Sequence, residues 1–217
     1  MFVSFKYGIK REGLLAFRGR GQWLNPLMFF IMVSSLFPLS TMDSPQLYQK
    51  FAPCIIWIGI LLASILSLEF SFRADFEEGV FEQWILSPLP LWFLLLTKGL
   101  AHWLIHLLPM VILAPVIAYS LYLPSESFVT LIFSLLLGTP ILSMIALIGV
   151  CLTLGIKNSG ILLSLILIPL MIPVLIFGVG AIHAYEPHAQ FALLGAMLAM
   201  SCCFAPIVAA FALRTSI

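Results

Sequence analysis

The chain has 217 residues, 62% of them hydrophobic and 9% charged, and its mean hydropathy is +1.16. Soluble globular chains carry about 45–50% apolar and about 25% charged residues, so this chain lacks the polar surface needed to face water and reads as an all-α integral membrane protein. Its 10 Lys+Arg against 9 Asp+Glu give a net charge of +1, which excludes a basic nucleic-acid binder and an acidic tail. The apolar runs are continuous, which excludes the alternating pattern of a membrane β-barrel.

Each helical crossing needs about 20 apolar residues, so the length predicts six transmembrane helices in a single transmembrane domain, 1–217. Residues 1–22 hold Lys6, Lys10, Arg11, Arg18 and Arg20, half the basic residues of the chain. Phe2, Phe5 and Ile9 share one helical face there, which predicts an amphipathic helix lying in the membrane interface. A secretory signal peptide is the competing reading, and no small-x-small cleavage site supports it.

The apolar runs follow at 24–39, 53–70, 91–123, 128–154, 161–182 and 191–213. The third is too long for one straight span, and Pro109 and Pro115 are placed to break or kink it. Gly138-Thr139-Pro140 lies inside the fourth, and Pro169 and Pro173 inside the fifth. Proline in a membrane helix requires neighbours that re-satisfy the freed carbonyls, so the spans are expected to bundle.

With the N-terminus inside and six crossings, the inner segments hold every basic residue except Lys50. The positive-inside rule then puts both termini in the cytoplasm. Outer turns are predicted at 41–52, 124–127 and 183–190. Cys54, Cys151, Cys202 and Cys203 form no CxxC pair and read as small packing residues. Gly195, Ala199 and Cys203 recur every four residues, the spacing that lets membrane helices approach closely.

Charge concentrates at 69–90, between the second and third runs, where Glu69, Asp75, Glu77, Glu78 and Glu82 lie. On one helix over 72–87, Asp75, Glu78 and Glu82 make an acidic stripe while Phe76, Val80 and Trp84 make an apolar one. Ser87-Pro88 and Pro90 stop that helix. A solvated loop helix and a docking element for a cytoplasmic protein both fit, and the amphipathic, bounded character favours docking. In the third run Lys98, His102 and His106 are spaced four apart as one polar stripe. Lys98, near the cytoplasmic mouth, can snorkel. Ionisable groups in a span usually face the bundle or mark a pathway, and Glu69, Lys98 and His102 are the candidates. His102 is either hydrogen-bonded inside the bundle, an axial haem ligand or a proton carrier. His183 and His188 flank the last outer turn and read as an accidental pair. No phosphate-binding loop, nucleophile elbow or zinc-protease motif is present in the sequence, so any active transport draws its energy from another chain. The polar residues are too few for an integral-membrane enzyme.

These features together resemble the permeases of type-2 ABC transporters and, more narrowly, the CcmB family of the cytochrome c maturation system. The resemblance is carried by Asn25-Pro26-Leu27-Met28-Phe29-Phe30, Leu36-Phe37-Pro38-Leu39-Ser40, Ala52-Pro53 with Ile55-Ile56-Trp57, Glu82-Gln83 before Leu86-Ser87-Pro88-Leu89-Pro90, Ala101-His102-Trp103, and Leu136-Leu137-Gly138-Thr139-Pro140. It implies a multi-pass permease subunit of the bacterial inner membrane, with no resident cofactor, haem as possible substrate, and ATP hydrolysed on a partner ATPase. It further implies haem-handling membrane subunits as partners, a homodimer in membrane lipid, and coupling to the ATPase through Asp75, Glu78, Gly79, Glu82, Gln83 and Trp84. His106 departs from the family pattern, and the chain lacks the tryptophan-rich motif of the haem-handling subunit. A non-transporting scaffold, or a permease for another lipophilic substrate, is the alternative.

Overall fold

The computed structural model describes residues 13, 20–39, 45–153 and 159–216. The described chain is entirely helical. Helix α1 runs Arg20–Leu39, α2 Pro45–Glu77, α3 Val80–Ile85, α4 Leu91–His102, α5 Leu108–Ser120, α6 Glu126–Thr153, α7 Ser159–His183 and α8 His188–Ser216, with a π-turn at Trp103–Leu107 joining α4 to α5. Five stretches are long and apolar enough to cross a bilayer: Gln46–Leu68, Leu91–Ser120, Glu126–Thr153, Leu162–His183 and His188–Thr215. A shorter apolar helix, Leu24–Pro38, accompanies them. The chain is a multi-pass membrane protein. The interfacial helix expected at 1–22 lies outside the described residues, apart from Gly13 and the start of α1.

Helix α6 occupies the centre. Its residues from Gly138 to Leu147 are buried without a break, and α2, α4, α5, α7 and α8 pack around it. The outward faces of α5, α7 and α8 are apolar, with Ile112, Val116, Leu165, Ile176, Met200, Phe204 and Phe211 exposed. In lipid that exposure costs nothing, because the surrounding solvent is itself hydrocarbon.

The long third run is one helical rod with a local defect. Pro109 has no amide to bond Ile105, and the turn before it widens so that the Leu108 amide reaches back to the Trp103 carbonyl. A π-turn thus absorbs the proline that would otherwise kink the helix. In α6, Thr139 donates its hydroxyl to the Leu135 carbonyl at 2.7 Å beside Pro140. Two expected boundaries shift. Helix α2 begins at Pro45 rather than at the apolar run, and it continues through Glu77. At 33 residues and about 1.5 Å per residue, α2 outreaches the roughly 30 Å hydrocarbon layer and projects its charged end beyond it.

Candidate functional site: the charged elbow and the polar line beneath it

Helix α2 ends at Glu77, and Gly79 takes a left-handed conformation, φ 68° and ψ 24°. Its amide donates to the Phe76 carbonyl at 3.1 Å. Only glycine adopts that conformation without steric cost, so the chain reverses there and α3 folds back on the tip of α2. Val80 and Phe81 are buried by that return. Phe81 stacks on Phe72 with ring centroids 6.3 Å apart and meets Trp84 edge-on at 5.4 Å. Glu78, Glu82 and Gln83 remain exposed. The Leu89 amide donates to Ser87 Oγ at 3.2 Å, and Pro90 opens α4, so the stop expected at Ser87-Pro88 is where the sequence places it.

The acidic stripe is therefore corrected. It presumed a single helix over 72–87, and the turn at Glu78-Gly79 divides that segment. Asp75 points inward, 4% exposed, and forms an ion pair with Lys98. Lys98 does not snorkel: it is 3% exposed, and its ammonium also lies 5.2 Å from the centre of the Phe72 ring, within cation–π range. A buried charge demands a partner, and here each supplies the other across α2 and α4. The side chain of Glu69 lies outside the described residues.

One turn deeper, the His102 ring bridges three helices. Its Nε2 lies 2.9 Å from Ser67 Oγ on α2, and its Nδ1 lies 2.9 Å from Ser143 Oγ on α6. The Ser143 hydroxyl donates to the Gly99 carbonyl of α4 at 2.8 Å, and the Ser67 hydroxyl donates to the Ser64 carbonyl at 2.8 Å. Phe72 contacts the ring edge-on at 6.1 Å, and His106 stacks on it at 4.9 Å. Both ring nitrogens of His102 therefore lie against serine hydroxyls inside the bundle. Nearby, Trp103 Nε1 donates to Thr139 Oγ1 at 2.9 Å, tying the π-turn to α6.

Deeper still, Trp57 is fully buried between two glycine notches. A Cβ at Gly138 would stand 2.2 Å from Trp57 Cη2, and one at Gly178 would stand 2.2 Å from Cζ2. The indole thus joins α2, α6 and α7 through contacts that only glycine permits.

Sequence reasoning found Lys98 and His102 but missed Ser67, Ser143 and Trp57 as their companions on the same line. The available signal was physical: a lysine inside an apolar run needs a carboxylate within reach, and Asp75 was at hand. His183 and His188 are both exposed at the opposite end of the bundle. No disulfide joins the cysteines among the described residues. That opposite end also carries a cleft of about 290 Å³ lined by Gln46, Gln49, Lys50, Ser127 and His183.

Comparison with known proteins places this architecture. The CcmB protein family matches residues 4–216. The chain is 48% identical over 180 residues to heme exporter protein B of Pseudomonas aeruginosa, covering 83% of this chain and 81% of that one. It is 44% identical over 213 residues to heme exporter protein B of Haemophilus influenzae, covering 96% of each. It is 44% identical over 207 residues to heme exporter protein B of Escherichia coli K12, covering 94% of each.

Proposed function

The chain belongs to the CcmB protein family, and from that premise we propose that it is the permease subunit of an ABC-type transporter complex acting in haem delivery for cytochrome c maturation, driven by a separate ATPase. The relatives' name, heme exporter protein B, supports haem as the cargo. The observation that carries the coupling is the elbow at Glu78-Gly79. It presents Glu78, Glu82 and Gln83 to solvent while Phe81, flanked by Trp84, anchors it against Phe72 and the Asp75–Lys98 pair ties the same helix tip to α4. A motor protein pressing on such an elbow moves α2 as a rod. Asp75 contributes from inside the joint, and Glu78, Glu82, Gln83 and Trp84 form the outer contact.

In this reading Leu24–Pro38 makes a sixth crossing, both termini face the cytoplasm, and the protein resides in the bacterial inner membrane. A second copy packs along the small-residue face of α8, where a Cβ at Gly195 meets nothing within 4 Å and Ala199 and Cys203 are exposed. Haem-handling membrane subunits complete the complex. The test is charge reversal, Glu78→Lys with Glu82→Lys, in the full complex: ATPase co-purification falls while membrane insertion is unchanged. Full co-purification refutes the assignment of the elbow as the docking contact.

One observation favours a second reading, a scaffold through which no cargo passes. Trp57 fills the space between Gly138 and Gly178, so this part of the bundle interior is packed rather than hollow. The two readings part on energy use. A permease or remodelling machine loses cytochrome c yield when its ATPase cannot hydrolyse ATP, and a scaffold does not.

A further inference from the structure

The hydroxyl directions around His102 impose a proton count. Each serine hydroxyl has one hydrogen. Ser143 directs its hydrogen to the Gly99 carbonyl and Ser67 directs its own to the Ser64 carbonyl, so both oxygens offer only lone pairs to the ring. An imidazole with a single N–H can donate to one of them, and the other serine must then turn its hydrogen onto the ring and release its carbonyl. The two choices are unequal. Ser64 lies within the same helix as Ser67, so releasing its carbonyl severs no link between helices. Releasing the Gly99 carbonyl severs one of the links between α4 and α6. The favoured arrangement keeps Ser143 on Gly99, puts the ring hydrogen on Nδ1 toward Ser143, and lets Ser67 donate to Nε2.

We infer that His102 is the positioning residue that carries displacement of the α2 tip to the central helix α6, through one adjustable bond to Ser67 and one fixed bond to Ser143. The adjustable bond faces α2, whose tip runs into the elbow and is paired to α4 through Asp75 and Lys98, and the fixed bond faces the helix at the centre of the bundle. His106, stacked on the ring, and Phe72, against its edge, hold the imidazole in plane. The ring is thereby a joint with unequal sides: the Ser67 contact keeps the ring engaged as the α2 tip shifts, and the Ser143 bond passes the shift to α6. This inference rests on the proposed ATP-driven function.

The experiment uses the full complex with its ATPase and measures holocytochrome c formed per ATP hydrolysed. His102→Phe keeps the ring volume and removes both bonds. It leaves ATPase co-purification and hydrolysis near wild type but lowers the product formed per ATP by about tenfold, within the range of a lost coupling between sites. His102→Asn, which keeps a donor near the Nδ1 position, restores most of it. Ser143→Ala uncouples more than Ser67→Ala, because only Ser143 holds both the ring and Gly99. If His102→Phe fails to accumulate, Ser143→Ala carries the test, since it deletes a single oxygen. Wild-type product per ATP in His102→Phe or Ser143→Ala, or equal losses in the two serine variants, overturns the inference. A wild-type complex whose yield is indifferent to ATP hydrolysis instead refutes the transporter reading beneath it.

Discussion

Replacing Gly138 by alanine is the sharpest test of how the bundle is held together. The added Cβ would sit 2.2 Å from Trp57 Cη2, with Cζ3 at 3.1 Å and Cζ2 at 3.2 Å. Carbon atoms in contact prefer about 3.5–4.0 Å, so the overlap at Cη2 is roughly 1.3 Å or more. The indole cannot withdraw, because its other side already meets Gly178, where a Cβ would likewise stand at 2.2 Å. Relief must come from separating α6 from α2, and overpacking of this kind costs about 1–3 kcal/mol, with a clash against a rigid ring at the upper end. Trp57→Phe removes the carbons that the new methyl would strike. It also removes an indole N–H that is buried without a hydrogen-bond partner among the described residues, a group whose desolvation costs about 1–3 kcal/mol. The two substitutions are therefore coupled: the double variant is more stable than the sum of the singles by about 1–2 kcal/mol, inside the usual range for residues in contact. Unfolding of the detergent-solubilised protein by titrated denaturing surfactant, on wild type, both singles and the double, reads this cycle. Additive effects, or a Gly138→Ala variant as stable as wild type, would refute the notch.

Two further predictions concern the elbow and the ion pair. Gly79→Ala forces a side chain into the left-handed region at φ 68°, costing about 1–2 kcal/mol; the same unfolding titration shows the loss, and Gly79→Asn shows a smaller one because asparagine tolerates that conformation better. Lys98→Met removes the ammonium from the buried Asp75–Lys98 pair, and breaking such a pair costs about 3–5 kcal/mol; adding Asp75→Leu recovers much of it, and a double variant no more stable than Lys98→Met would show that the pair is not what holds the α2 tip to α4.

The course of the helices through the membrane was legible because the bilayer acts on composition alone. Apolar runs at 128–154, 161–182 and 191–213 reappear as α6, α7 and α8 with boundaries shifted by a few residues. Where the shifts are large, hydrogen bonding overrides hydropathy. Helix α2 extends past both ends of its apolar run, since backbone bonding does not stop where the side chains turn polar. Pro109 shows the converse limit. The sequence revealed that the third span must be irregular, but the choice of a widened turn over a kink depends on what packs beside it, here Thr139 receiving the Trp103 N–H. The acidic stripe failed for a more specific reason. Helical periodicity assumes an unbroken helix, and one glycine with positive φ resets the phase. After that reset Asp75 belongs to the interior and Glu78 and Glu82 belong to the surface.

Helix α2 shows why the site takes the form of a line. Trp57, Ile60, Ser64, Ser67, Ser71 and Asp75 recur at steps of three or four residues, and residues so spaced share one helical face. Along that face the chemistry changes from an indole held between glycines, through hydroxyls that reach a histidine, to a carboxylate paired with a lysine. An isolated ion pair is costly in hydrocarbon and tolerable near water, so the charged end must lie toward the polar boundary and the aromatic end toward the centre. The hydroxyls between them can turn a proton from one acceptor to another without exposing a charge. A rod built in that order can be pushed at its ionic tip and remain fixed at its aromatic foot. On the ATP-driven function proposed for this chain, the region between them, where His102 meets Ser67 and Ser143, is the place where a push at the surface becomes a change in the core.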